Sequence, residues 1–201
     1  MNGNRRIMVK IYVIDNGGQW THREWRTLRD LNVDTKIIPN TVPYTQIEND
    51  DINGLVLSGG APRVGIQDKL GNCAEYLEKA TVPILGICAG HQFMARHFGG
   101  NAAPSKTPEF GRVTLEIIDT NSLLFSSIPT SSIVWESHHD EVTLLPPEFK
   151  HVAKSTNCSI QAMQHVNKPY YGLQFHPEVE HTEYGEQIFK NFITICQQVK
   201  K

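Results

Sequence analysis

Cys88 lies in Gly86-Ile87-Cys88-Ala89-Gly90, where an apolar, strand-like run ending at Ile87 gives way to a helix-like run beginning near Gly90. This is the strand-nucleophile-helix context of an elbow motif, with Cys in place of Ser. An elbow strains the backbone and packs strand against helix at close range, so residues without side chains suit the flanks. The start of a helix also presents free N–H groups and the positive end of its dipole. Both favour the thiolate, the form of cysteine that attacks carbonyl carbon. A buried structural cysteine at a tight turn is the competing reading, and the paired glycines weigh against it.

A thiolate nucleophile needs a base, and Gln174-Phe175-His176-Pro177-Glu178 supplies one. Pro177 biases His176 toward extended backbone, and in extended chain residues two apart face the same way, which sets the imidazole beside the Glu178 carboxylate. A carboxylate accepting one ring N–H fixes the tautomer and stabilises the imidazolium formed when His takes the thiol proton. Alone, His176-Pro177-Glu178 reads more often as a surface turn, because His and Glu are usually exposed, and its weight comes from the pairing with Cys88. Leu57-Ser58-Gly59-Gly60-Ala61-Pro62 follows another apolar run. A glycine-rich turn at the carboxyl end of a strand can aim backbone N–H groups at an oxyanion. A phosphate cradle is the alternative, but the chain has no Gly-Lys dipeptide and so no Walker loop.

Ser137-His138-His139-Asp140-Glu141 crowds titratable groups after an apolar run. Adjacent histidines point to opposite sides of extended chain and no familiar metal-ligand spacing is present, so substrate contact is expected here and a metal is not. Gln92, four residues past Cys88, projects from the nucleophile's side of its helix.

The elements that must hold these groups alternate along the first half. Ile11 to Asp15, Asp34 to Ile38, Leu55 to Ser58 and Ile84 to Ile87 read as buried strands. Helices are expected over Thr21 to Leu31, with a Thr21/Glu24 capping box and Trp25, Leu28 and Leu31 on one side, and near Leu70 to Lys79 and Gly90 to Phe98. Such alternation signals an α/β fold with a mostly parallel sheet. From Gly111 onward strands and turns dominate, at Val113 to Ile118, Ile133 to Glu136, Ile160 to His165 and Tyr171 to Phe175, predicting an antiparallel extension. Glu183 to Lys200 spaces Ile188, Phe192, Ile195 and Val199 as a C-terminal helix. No repeat or linker divides residues 1–201, which predicts one domain.

Nineteen basic and twenty-one acidic residues give a formal net charge of -2 without a like-charge block. Nucleic acid and membrane partners are therefore not expected. The apolar stretch Ile7 to Ile14 is interrupted by Lys10, too short and too charged for a signal or spanning helix. Arg5 and Arg6 precede no export-type run, and a start at Met1 or at Met8 is left open. Four scattered cysteines with no CxxC pair suit a reducing compartment, so a cytoplasmic location is expected.

Taken together, GICAGHQ around Cys88, LSGGA before it and QFHPE near the C-terminus resemble the class I, triad-type glutamine amidotransferases, in that family's order and over nearly the whole chain. The resemblance implies an open α/β sheet with a flavodoxin-like core and the elbow at its carboxyl edge. It implies Cys88 as nucleophile, His176 as general base and acid, and Glu178 as the residue orienting it. Backbone N–H groups of Gly60 and Ala89 would form the oxyanion hole, Gln92 would hold the substrate glutamine, and His139 and Asp140 would lie near its α-amino and α-carboxylate ends. Two departures stand out: Ala61-Pro62 where Pro usually follows the second Gly directly, and Ala89 where a larger residue is common after the nucleophile.

Asp15-Asn16-Gly17-Gly18-Gln19-Trp20-Thr21-His22-Arg23, Lys36 to Asn40 and Glu136 to Val142 are similar to the glutaminase subunits of archaeal-type two-subunit GMP synthases. That implies no metal or organic cofactor in this chain. ATP and magnesium would belong to a separate ATP pyrophosphatase subunit that receives the ammonia, and the Ser58 to Arg63 loop would be the element that responds to it. The glutaminase subunit of anthranilate or aminodeoxychorismate synthase, which the SHHDEV and DNGGQ segments resemble less, and a catalytically silent regulatory subunit of the same fold are the alternatives.

Overall fold

The computed structural model describes residues 8–67 and 69–199. The choice between Met1 and Met8 falls on residues 1–7, and that stretch, together with Lys200, lies outside the described residues. Among the described residues nine strands form one sheet. They are β1 (Lys10–Asn16), β2 (Asp34–Pro39), β3 (Gly54–Gly60), β4 (Ile84–Ile87), β5 (Asn101–Ile117), β6 (Ser131–Leu144), β7 (Phe149–Lys154), β8 (Ala162–His165) and β9 (Tyr170–Leu173). Their order across the sheet is β2-β1-β3-β4-β9-β8-β7-β5-β6. The helices are α1 (Thr21–Asp30), α2 (Cys73–Lys79), α3 (Ala89–His97) and α4 (Gly185–Gln198). None is long and apolar enough to cross a membrane among the described residues.

Alternation along the central strands divides two cores. Ile11, Val13, Val56, Leu85 and Ile87 face one side and pack with Leu28 of α1 and Ile188, Phe189, Phe192 and Ile195 of α4. Tyr12, Ile14, Leu55, Leu57 and Ile84 face the other and pack with Tyr76 and Leu77 of α2 and Phe93 and Met94 of α3. Strands buried on both faces are the mark of a parallel sheet, and β2, β1, β3, β4 and β9 run parallel.

Three expectations need correction, and one strand is unexpected. Tyr171 to Phe175 belongs to the parallel core: β9 pairs in parallel with β4, from Ile84 opposite Tyr170 to Ile87 opposite Leu173, and only its other edge, toward β8, is antiparallel. The β5 and β6 strands extend well beyond Val113 to Ile118 and Ile133 to Glu136 and form a long antiparallel ribbon with a register shift between Pro104 and Glu109. Pro104, Pro108 and Gly111 break the local strand signal, and the mostly exposed residues at 103–108 lack the alternation that a packed face imposes. The strand β7 has no counterpart among the sequence expectations. Finally, Thr21 and Glu24 make no capping box. Trp20 is the N-cap residue, and no side chain caps the helix there. The Thr21 hydroxyl instead donates to Asp15 Oδ1 at 3.0 Å, and Glu24 turns inward.

Candidate active site

Four parallel strands, β1, β3, β4 and β9, deliver their carboxyl ends to one place, the crevice where ligands gather in open α/β sheets. A cleft of about 270 Å³ there is lined by Gly17 to Thr21 and Glu24 after β1, Gly59 to Ala61 at the end of β3, Cys88 after β4, His176 and Glu178 after β9, and Ser137 of β6. A second hollow of about 170 Å³ shares Gly60, Ala61, Cys88 and Ser137 and adds Ala89, Gln92, His139 and Asp140. Cys88 sits where the two meet.

The elbow is real. Cys88 has φ 49° and ψ −105°, and such a conformation costs a non-glycine residue about 1–3 kcal/mol, offset by the surrounding structure. Its N–H donates to Leu173 O at 2.8 Å and its carbonyl accepts the Gln92 N–H at 3.0 Å, opening α3. A Cβ on Gly90 would overlap the Leu57 carbonyl, so only glycine allows α3 to lie this close to β3. Cys88 is 8% exposed and lines the cleft.

His176 is buried and held at both backbone ends, its N–H donating to Trp135 O at 3.0 Å and its carbonyl accepting the Thr182 hydroxyl at 2.7 Å. Its Nδ1 lies 2.7 Å from Glu178 Oε1, which leaves Nε2 free to serve Cys88, and interaction with Cys88 helps raise the proton affinity of the ring. Pro177 and Glu178 lie in a turn, so the turn and not extended chain brings carboxylate to ring. Burial alone would lower the proton affinity of His176. The Glu178 charge and the bonds to Cys88 and Glu178 override it and hold the ring well above its ordinary pKa. An imidazole held between a thiol and a carboxylate, able to become imidazolium as the thiolate forms, is the arrangement nucleophilic cysteine chemistry requires. Trp20 packs edge-on against the ring with centroids 4.4 Å apart.

Gln92 is buried at the wall of the second hollow, where its Nε2 donates to Asp140 O at 2.6 Å and to Gln174 Oε1 at 3.1 Å. Gln174 in turn points Nε2 at Cys88 Sγ, 3.7 Å away. His138 is buried and His139 exposed, opposite sides of β6 as expected. The Asp140 carboxylate is taken by the guanidinium of Arg63 and by the Gly65 N–H, 3.0 Å away. Burial pushes its pKa up, but these donors prevail and hold it below the usual range. Sequence reasoning misses Trp20, Glu24, Arg63 and Gln174. Gln174 opens the QFHPE motif two residues before His176 and could be weighed there, whereas Glu24 has the spacing of a cap.

Behind His139 lies a buried polar cluster. Glu109 accepts from Ser155 Oγ and Gln161 Nε2, both at 2.8 Å, and faces His138 Nε2 at 3.2 Å. Glu109, His138 and Cys158 bring potential metal-ligand atoms within 4.8 Å of one another, although the Glu109 carboxylate is already engaged by these three groups. Glu136, 0% exposed, has no hydrogen-bond partner at either carboxyl oxygen among the described residues, the His138 Nε2 standing 3.6 Å from Oε2, and burial raises its pKa to about 8. A carboxyl with a raised folded pKa favours folding fully below its unfolded pKa, and that contribution is lost as pH rises through the folded value. Glu136→Gln therefore raises Tm more at pH 9 than at pH 6, measured by thermal unfolding. An equal change at both pH values would mean Glu136 does not titrate in this window.

The Glutamine amidotransferase class-I family pattern matches residues 12–196, and the chain belongs to this family. Among its relatives, a subunit of the glutamine-hydrolyzing GMP synthase of Thermoplasma acidophilum is 49% identical over 96% of each chain. The corresponding subunit of Pyrococcus furiosus is 48% identical over 94% of this chain and all of its own. The crystal structure of a GMP synthase subunit from Thermoplasma acidophilum superposes with a TM-score of 0.89 at 50% identity over 94% of both chains. A glutamine amidotransferase from Thermotoga maritima, with a TM-score of 0.70 at 22% identity over 92% of this chain and 81% of its own, shares the fold.

Proposed function

We propose that this chain is the glutamine-hydrolysing subunit of a two-subunit GMP synthase. The observation that carries this is an assembled Cys88-His176-Glu178 triad in a chain 44–50% identical, over nearly its whole length, to relatives named as subunits of glutamine-hydrolyzing GMP synthase. The Cys88 thiolate attacks the side-chain carboxamide of glutamine. Backbone N–H groups of Gly60 and Ala89 take up the oxyanion, and His176 protonates the departing ammonia. Water, deprotonated by His176, then cleaves the thioester to glutamate. Gln92, His139 and Asp140 line the hollow that receives the amino-acid end. For Asp140 to meet an α-amino group, Arg63 must share or release it.

The partner is a separate ATP pyrophosphatase subunit that uses ATP and magnesium to activate xanthosine 5′-phosphate and takes the ammonia. This chain needs no cofactor of its own for the glutaminase half-reaction, and its location is the cytoplasm. The Arg63 and Gly65 contacts to Asp140 tie the segment after Gly60 to β6, so a partner that moves either also moves an oxyanion donor. Glutamate release by the chain alone is expected to be slow and to rise roughly 10²-fold when partner, ATP, magnesium and xanthosine 5′-phosphate are added, the scale of one oxyanion donor. GMP formation from glutamine in that mixture tests the assignment. Its absence with a competent partner would overturn the assignment, and an isolated chain as fast as the loaded mixture would remove the activation.

A further inference from the structure

We infer that Glu24 is a positioning residue for the oxyanion hole, its carboxyl oxygen holding the Gly59 N–H and so setting the peptide run through Gly60 against Cys88. The inference rests on the glutaminase reading of the site. Glu24 stands in the first turn of a surface helix, where a carboxyl ordinarily reaches solvent, yet it is 1% exposed and forms part of the catalytic cleft wall. It caps nothing. Its Oε1 accepts the Gly59 N–H at 3.4 Å, a long bond, and its Oε2 has no hydrogen-bond partner among the described residues.

Gly59 is wedged between the two reacting side chains. A Cβ built on it would lie 3.1 Å from His176 Cε1 and 3.6 Å from Cys88 Cβ, so this peptide sits directly beside both. Its carbonyl accepts the Ser58 hydroxyl at 2.8 Å and passes so close to Gly18 that a Cβ there would lie only 2.5 Å from it. Glu24 thus completes the grip on a peptide one residue from the oxyanion donor Gly60. Thr21 fastens α1 to the same strand end, with its hydroxyl 3.3 Å from Ser58 Oγ. The electrostatics agree with a neutral acceptor: burial first, then the charges of Glu178 and Asp15, push the Glu24 carboxyl well above its ordinary range, against the opposing pull of His176 and the Gly59 N–H. A neutral carboxyl keeps its acceptor oxygen without repelling Glu178. A side chain needed only for packing would be apolar here, since burying a carboxyl is costly.

Glu24→Leu removes the acceptor at similar volume, and Glu24→Gln keeps one. In the partner-activated complex, Glu24→Leu is expected to lower kcat for glutamine roughly 10²-fold with little change in KM, and Glu24→Gln to recover most of that loss. Alkylation of Cys88 by iodoacetamide, which needs the thiolate but no oxyanion hole, proceeds in Glu24→Leu at the unaltered rate. Unchanged turnover in Glu24→Leu, a parallel loss of alkylation, or a Glu24→Gln variant as slow as Glu24→Leu would each overturn the inference. If Glu24→Leu does not fold, Glu24→Gln decides alone, and a loss above roughly ten-fold overturns it. Failure of the unaltered complex to hydrolyse glutamine would instead count against the function proposed above.

Discussion

With Cys88→Ala in the reconstituted complex, GMP forms from added ammonium salt at close to the unaltered rate, and none forms from glutamine above background. The substitution removes the only atom able to make the thioester and little else. Alanine keeps the Cβ that already occupies φ 49°, so the elbow is no more strained than before, and the backbone bonds from Leu173 to Gln92 are untouched. The acceptor chemistry belongs to the partner in the proposed division of labour, so ammonia from solution bypasses the loss. Both activities are compared in the same assembled complex, with complex formation checked by size-exclusion chromatography. Equal loss of the two, in a complex that still assembles, would show that this chain also serves the ammonia-using step.

His176→Ala is expected to bring glutaminase turnover to background, and Glu178→Gln to leave a measurable remainder, on the order of 10²-fold below the unaltered protein. The geometry separates the roles. His176 stands beside both Cys88 and Glu178, and in the proposed mechanism it moves a proton in both half-reactions. Glu178 touches His176 at Nδ1, 2.7 Å away. A glutamine amide oxygen can still accept the ring N–H and keep the tautomer, while the compensating charge on a buried imidazolium is lost. Initial rates at saturating glutamine, with circular dichroism confirming the fold of each variant, distinguish the two. A folded Glu178→Gln protein as inactive as His176→Ala would mean that charge support and proton transfer cannot be separated at this site.

The parts of the molecule legible in the sequence are those governed by local rules. β4 and the start of α3 are readable because apolar strand, glycine, nucleophile and helix follow one another within a few residues, and the triad because its motifs are short and contiguous. What escapes depends on contacts between distant segments. No local pattern tells whether Tyr171 to Phe175 pairs in parallel or antiparallel, because its burial on both faces is imposed by strands far away in the chain. Glu24 shows the opposite hazard: Thr21 and Glu24 have the spacing of a capping box, and the local rule is satisfied on paper while tertiary packing turns both side chains to other partners. Arg63 cannot be paired with Asp140 without the fold, since the two stand 77 positions apart in the chain.

The place of β9 beside β4 also bears on how the protein is made. As the chain leaves the ribosome, β4 and the nucleophile emerge long before the strand that completes their side of the sheet and carries the base after it. A half-synthesised chain thus holds Cys88 without His176 and cannot squander glutamine. It must instead tolerate an unpaired apolar strand edge until its closing stretch arrives, the kind of surface that recruits chaperones or neighbouring chains. Slow, late closure of the β4-β9 pair is the expected rate-limiting event of folding, because so large a loop must be ordered before that pairing forms. The chain becomes an enzyme and loses its sticky edge in the same step.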